Sequence, residues 1–87
     1  MNTRANDDKM RTSAQRLLFP LRQAAAAQWA SAADGNQALT SWAVYAERDH
    51  RESLINDWLY HKYDIETMKE YYINYLLNIE RLLKNSK

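Results

Sequence analysis

The sequence predicts an all-α protein, a small bundle of three to four helices with a long C-terminal amphipathic helix. One glycine and one proline in 87 residues are too few for an architecture of strands and tight turns. Twelve alanines and ten leucines, which favour helices, outnumber the nine β-branched residues. Apolar residues recur at helical spacing along most of the chain, and its length suffices for only one domain.

The N-terminal part of the chain is expected to change character after residue 8. Residues 1–8 are polar and lack apolar periodicity, which predicts a flexible arm, and residues 9–87 are expected to form the single helical domain. From Lys9 the apolar residues follow helical spacing. Because proline lacks an amide hydrogen and restricts the residue before it, we expect a break or kink at Phe19-Pro20. The count of three to four helices depends on this break.

The remaining helices are bounded by turn and capping residues. Asp34-Gly35-Asn36 is the clearest turn signal, with Gly35 suited to a positive φ after a helix. A helix is predicted from about Gln37 to Lys62, with Asn36 or Thr40 as its N-cap. Another is predicted from Ile65 to Lys84, with Asp64 as its N-cap.

The C-terminal helix carries the strongest periodic pattern in the chain. Its apolar residues repeat at alternating intervals of three and four, the spacing of a coiled-coil seam. The earlier helices offer mostly alanine, so we expect a partner or a second copy of the chain to cover this seam. The predicted partner or oligomer interface consists of Tyr72, Tyr75, Leu76, Ile79, Leu82 and Leu83.

Seven polar residues, 47–53, interrupt the apolar stripe of the preceding helix. In one interpretation, ion pairs four residues apart, Glu47 with Arg51 and Arg48 with Glu52, solvate the helix. In the other, these charges contact a partner. The candidate charged docking face consists of Glu47, Arg48, Asp49, Arg51 and Glu52.

Several classes of chemistry are not expected. The chain has no cysteine, which excludes disulfides, thiolate metal sites and a cysteine nucleophile. His50 and His61 lie eleven residues apart, too far along one helix to share an ion. Neither a nucleophile–base arrangement nor a glycine-rich phosphate loop is visible. We therefore expect no enzymatic activity, no metal and no cofactor, and neither a membrane segment nor a signal peptide, which favours a cytoplasmic protein.

Charge is unevenly distributed. The net charge is +3 over residues 1–22, −4 over residues 34–70 and +2 over residues 71–87. A nucleic-acid binder usually concentrates its basic residues, and a helix-turn-helix interpretation of residues 23–45 lacks any Lys or Arg in the second helix before Arg48. The sequence therefore favours a protein-interaction module: a bacterial or phage regulator, inhibitor or accessory subunit, expected to be a homodimer. The alternative is a DNA-associated transcription or nucleoid modulator, with nucleic acid contacted directly or through another protein.

Overall fold

The computed structural model describes residues 3–86, with side-chain burial from Asn6 onward, and all regular secondary structure in this part of the chain is helical. Helix α1 spans Thr3–Ala32, α2 spans Gln37–His61 and α3 spans Ile65–Asn85. Each helix packs against the other two. Two short turns make successive helices antiparallel neighbours, so α1 and α3 run in the same direction. The all-α bundle is confirmed; it has three helices, and α3 is the shortest of them.

The expected break at Phe19-Pro20 is wrong, because α1 continues through Pro20 as one helix, whereas a kink at this position stays a prediction. Pro20 is exposed, so water can hydrate the carbonyl of residue 16 that loses its amide partner. Leu18 is fully buried and Leu21 packs against the core, so tertiary contacts hold the helix on both sides of the proline. Residues 3–86 therefore form three helices where the sequence allowed a fourth.

The N-terminal arm predicted for residues 1–8 also differs in the structure. Helix α1 begins at Thr3 and not at Lys9, so residues 3–8 are helical. Neither Gly nor Pro lies in this stretch, and adding residues to an existing helix requires no new nucleation. Met1, Asn2 and Lys87 lie outside the described residues. Flexibility of the N-terminal residues stays a prediction.

The conformations and hydrogen bonds of the residues in the two turns show where each helix ends and the next begins. Asp34 and Gly35 have φ of 56° and 77°, and the Gly35 amide donates to the Ala30 carbonyl at 2.9 Å, which ends α1. Asn36 caps α2, since its side-chain oxygen accepts from the Leu39 amide at 3.2 Å. Lys62 ends α2 in the left-handed conformation, and Asp64 stands at the N-cap of α3 without a side-chain capping bond.

The hydrophobic core contains residues from all three helices. Helix α1 contributes alanines together with Leu18 and Trp29, whereas the core residues of α2 and α3 are large apart from Ala43. The buried residues are Ala14, Leu18, Trp29, Ala32, Ala33, Ala43, Leu54, Ile55, Trp58, Met68, Tyr72, Leu76, Ile79 and Leu83. Alanine on α1 and α2 allows the helix axes to approach closely, so a small side chain still covers a large one on the neighbouring helix.

This packing corrects the predicted interface on the C-terminal helix. Tyr72, Leu76, Ile79 and Leu83 are buried in the chain's own core, so their side chains do not form an exposed seam. Tyr75 is partly buried, and only Leu82 is exposed. The expectation that Ala-rich helices could not cover this seam is wrong. Trp29 of α1 and the larger residues of α2, such as Ile55 and Trp58, belong to the core that covers it.

Candidate interaction surfaces

Glu47 begins the predicted charged docking face, yet its side chain is 0% exposed. Each of the three helices supplies one partner to its carboxylate. The Glu47 carboxylate accepts from Arg22 Nε of α1 at 3.2 Å and from the Tyr72 hydroxyl of α3 at 2.6 Å. Arg51, one turn along α2, places Nη1 3.5 Å from the same carboxylate. We name these four residues the Glu47 cluster. It ties all three helices together at one buried point.

The electrostatics of the cluster explain how a carboxylate is kept inside the bundle. Two guanidinium groups, each mostly buried, compensate one negative charge, and the tyrosine hydroxyl occupies a further lone pair. Burial first, and then the hydrogen bond to Glu47, raise the pKa of Tyr72 far above its ordinary value. Tyr72 therefore acts as a donor to Glu47 throughout the physiological pH range.

A second polar contact between α2 and α3 lies next to this cluster. The rings of His50 and Tyr75 stack with centroids 3.6 Å apart and an interplanar angle of 4°. The Tyr75 hydroxyl donates to the Ala46 carbonyl at 3.3 Å. Burial lowers the pKa of His50, against an opposing effect of Glu47, and burial also raises the pKa of Tyr75. His50 and Tyr75 therefore join helices of the same chain.

Only part of the predicted docking face is therefore on the surface. Arg48, Asp49 and Glu52 are exposed, while Glu47 and most of Arg51 lie in the bundle. The predicted pair of Glu47 with Arg51 is confirmed. The predicted pair of Arg48 with Glu52 is not among the ion pairs of residues 3–86; the Arg48 guanidinium lies 5.3 Å from the centre of the Tyr45 ring instead.

An apolar groove of about 330 Å³ lies between α1 and α3. We name it the α1/α3 groove. Its lining is apolar except for Gln28 and Glu80, and consists of Leu21, Ala24, Ala25, Gln28, Trp29, Ile73, Leu76, Leu77 and Glu80. Leu77 is 59% exposed at its edge, so a large aliphatic side chain faces solvent beside an open apolar surface.

The α1 wall of this groove is free of charge. No Lys, Arg, Asp or Glu occurs between Arg22 and Asp34, although Ala24, Ala27 and Gln28 are exposed. Exposed helix faces normally carry charges that keep them hydrated. The sequence prediction placed the interface on the apolar seam of the C-terminal helix and did not include Leu77. The signal that identifies the groove is this charge-free stretch on a helix whose other positions already fill the core.

A smaller apolar pocket of about 250 Å³ lies between the start of α2 and the end of α3. We name it the end patch; it consists of Leu39, Trp42 and Leu82, with Ser86 at its edge. Leu82 is the one exposed member of the predicted interface. Leu82 of the end patch is therefore a residue of the predicted interface that lies on the surface.

The remaining candidate residues do not gather into a reactive site. His61 lies 3.2 Å from Asp57, and both side chains are exposed on α2. Across residues 3–86 no three His, Asp or Glu side chains are arranged to hold a metal ion.

None of the three helices is long and apolar enough to cross a lipid bilayer within the described part of the chain. Comparison with protein-family models, with curated proteins and with solved structures finds no match to this chain.

Proposed function

We propose that this protein is a small non-enzymatic interaction module, a bacterial or phage regulator, inhibitor or accessory subunit that binds a helix of a protein partner. The observation that carries the proposal is the α1/α3 groove, an open apolar surface beside exposed Leu77 and bordered by a charge-free wall. Contiguous exposed apolar surfaces of this kind are typical of protein interaction sites. A cytoplasmic location remains a prediction from the sequence.

The shape of the groove favours a helix as the bound element. It lies between two helices, and the alanines on its α1 wall allow a third axis to approach closely. An amphipathic helix would bury apolar side chains every three or four residues along it. The exposed part of the charged run, Arg48, Asp49 and Glu52, lies on α2, outside the groove lining, and is not needed for this mode of binding.

Site-specific photo-cross-linking tests this proposal. A photoreactive phenylalanine analogue replaces Leu77, and in a control it replaces Tyr45, which is equally exposed on α2. We expect covalent adducts with a defined protein from position 77 and none from position 45. Binding of the protein so identified should then be lost on Leu77→Lys. Equal adducts from the two positions, or none from position 77, would contradict the proposal.

Direct DNA binding is a second candidate, supported by exposed bases on α1. Lys9 and Arg16 are exposed and lie seven residues apart, on one face of the helix. Arg22 is engaged by Glu47, which weakens the basic stretch predicted from the sequence. Binding through Lys9 and Arg16 should decrease steeply with salt and disappear when both become Gln. Absence of a gel shift at low salt would exclude this candidate.

A further inference from the structure

The exposed side of α3 carries charges of opposite sign on either side of Leu77. Glu70, Leu77 and Lys84 are spaced by seven residues, so they lie along one stripe of the helix, and all three are exposed. At 1.5 Å per residue, each charge lies about 10 Å from Leu77 along the axis. The stripe is therefore negative at one end, apolar at its centre and positive at the other end.

A stripe with this order of charges is complementary to itself when reversed. If two copies of α3 meet antiparallel about a two-fold axis at Leu77, Glu70 of each copy faces Lys84 of the other. A parallel pair would place like charges together at both ends. The opposite charges attract in the antiparallel arrangement, and that attraction selects it over the parallel one.

Contacts within the chain do not prevent Glu70 and Lys84 from pairing with a second copy. Among the described side chains, those of residues 6–86, no base lies within ion-pair distance of Glu70, although Glu66 pairs with Lys69 at 3.0 Å. Lys84 contacts Glu80 at 3.3 Å, but the Lys84 side chain is exposed and Glu80 is half-buried, so the pair contributes little and leaves Lys84 accessible to another carboxylate. Glu70 thus has no ion-pair partner among the side chains of residues 6–86, and it lies on the same stripe as the exposed Leu77.

The α1/α3 groove supplies the apolar part of the same contact. Leu77 lies at its edge, and the charge-free wall of α1 places no charge against an incoming helix. One copy therefore presents both an exposed aliphatic side chain and the apolar groove beside it. A two-fold axis brings each Leu77 to the groove of the other copy, as in an isologous interface.

We infer that the partner helix bound by the α1/α3 groove is α3 of a second copy, antiparallel about Leu77, with Glu70 of each copy facing Lys84 of the other. This inference rests on the proposed function and names the partner. It differs from the interface expected from sequence, since Tyr72, Ile79 and Leu83 stay in the core and Leu77 takes the central position.

Sedimentation equilibrium of the purified full chain at low salt provides the first test. We expect a concentration-dependent dimer that Leu77→Lys converts to monomer. Leu82→Lys is the matched control, because Leu82 is an exposed leucine of the same helix that belongs to the end patch. Circular dichroism verifies that both variants stay helical. Dissociation by Leu82→Lys and not by Leu77→Lys would overturn the inference.

A charge exchange tests the orientation. Glu70→Lys and Lys84→Glu, each alone, should weaken the dimer about tenfold by placing like charges opposite each other. A mixture of the two variants should form heterodimers, because both facing pairs are then attractive. Effects of either substitution on its own helix cannot produce this recovery. Failure of the mixture to associate more tightly than either variant alone would overturn the antiparallel arrangement.

The two proposals fail in different ways. If the wild-type chain stays monomeric at every concentration while position 77 still cross-links to another protein, the second copy is not the partner. The proposal of an interaction module is then retained. A monomeric chain with no cross-link from position 77 overturns both.

Discussion

The Glu47 cluster and the α1/α3 groove reverse the usual relation between residue type and exposure. Glu47 is charged and fully buried, whereas Leu77 is aliphatic and more than half exposed. Glu47 is buried because Arg22, Arg51 and Tyr72 from three helices meet its carboxylate. Leu77 is exposed because no fourth helix of the described chain covers the groove. Burial in this bundle depends on what the neighbouring helices supply at each position.

The energetic consequences of the two regions also differ. Removing one member of a buried, charged cluster lowers the free energy of unfolding of the protein, because the groups that remain are still dehydrated and have lost their partner. An exposed leucine contributes little to the free energy of unfolding of its own chain, and its apolar surface is available for association. The Glu47 cluster therefore bears on folding, and the groove bears on binding. The predictions below separate these two roles.

The largest effect is expected from Glu47→Ala. It leaves Arg22 and Arg51 without their shared carboxylate and the buried Tyr72 hydroxyl without an acceptor, so the free energy of unfolding should fall by about 4 kcal/mol. Urea denaturation followed by circular dichroism measures it. Glu52→Ala, at an exposed position of the same helix, should change the free energy by less than about 0.5 kcal/mol. Equal losses would mean that the cluster does not stabilise the bundle.

If Glu47→Ala does not fold, Glu47→Gln provides the same comparison with a smaller perturbation. The amide keeps the shape of the side chain and one acceptor oxygen but removes the negative charge between the two guanidinium groups. It should still be less stable than the wild type. A Gln variant as stable as the wild type would show that shape, and not charge, matters at this position.

The next effect compares two aliphatic residues two positions apart on α3. Ile79 is 1% exposed, so Ile79→Ala should lower the free energy of unfolding by about 3 kcal/mol through lost burial and a residual cavity. Leu77→Ala should lower it by less than about 0.5 kcal/mol in the monomer and should weaken association instead. Thermal unfolding together with sedimentation separates the two results. A stability loss at Leu77 equal to that at Ile79 would contradict the assignment of Leu77 to the surface.

A smaller effect is expected from Tyr72→Phe, which removes the hydroxyl donor to Glu47 and keeps the buried ring. The free energy of unfolding should fall by about 1.5–3 kcal/mol, the range for a hydrogen bond to a charged group. Tyr45→Phe, at an exposed tyrosine of α2, is the control and should be neutral. If the two variants are equally stable, the Tyr72 hydroxyl does not contribute to the Glu47 cluster.

The smallest effect concerns pH and His50. Burial lowers the pKa of His50 below its ordinary value of 6.5, so the unfolded chain binds this proton more readily than the folded chain. Its contribution to stability is therefore complete above pH 6.5 and decreases as pH falls from there toward the lowered pKa. His50→Gln should reduce the stability difference between pH 7 and pH 5, measured by urea denaturation. An unchanged pH dependence would show that His50 does not titrate differently in the two states.

The features that the sequence predicted correctly depend on short stretches of chain. The helices from Gln37 and from Ile65 begin where expected, because Asn36 and Asp64 occupy N-cap positions beside the first residue of each helix. Gly35 has the positive φ that its place in the turn requires. The ion pair of Glu47 with Arg51 was predictable because residues four apart face each other on a helix.

The candidate interaction residues were predictable only in part, because their exposure depends on distant residues. The sequence selected Tyr72, Leu76, Ile79 and Leu83 as apolar, and all four are core residues. Periodicity identifies the apolar face of a helix but does not distinguish a face covered by its own chain from one covered by a partner. Leu77 was overlooked for the same reason, since it lies on the flank of the apolar stripe.

The sequence by itself therefore determined the all-α class, the two turns and the limits of α2 and α3, because capping and periodicity act within one or two turns of a helix. Only the tertiary structure decided the continuity of α1 through Pro20 and the burial of Glu47. Arg22 and Tyr72, which hold the Glu47 carboxylate, each lie 25 residues away from it along the chain. A buried charge is stable only where such partners converge, and convergence is a property of packed helices and not of any one of them.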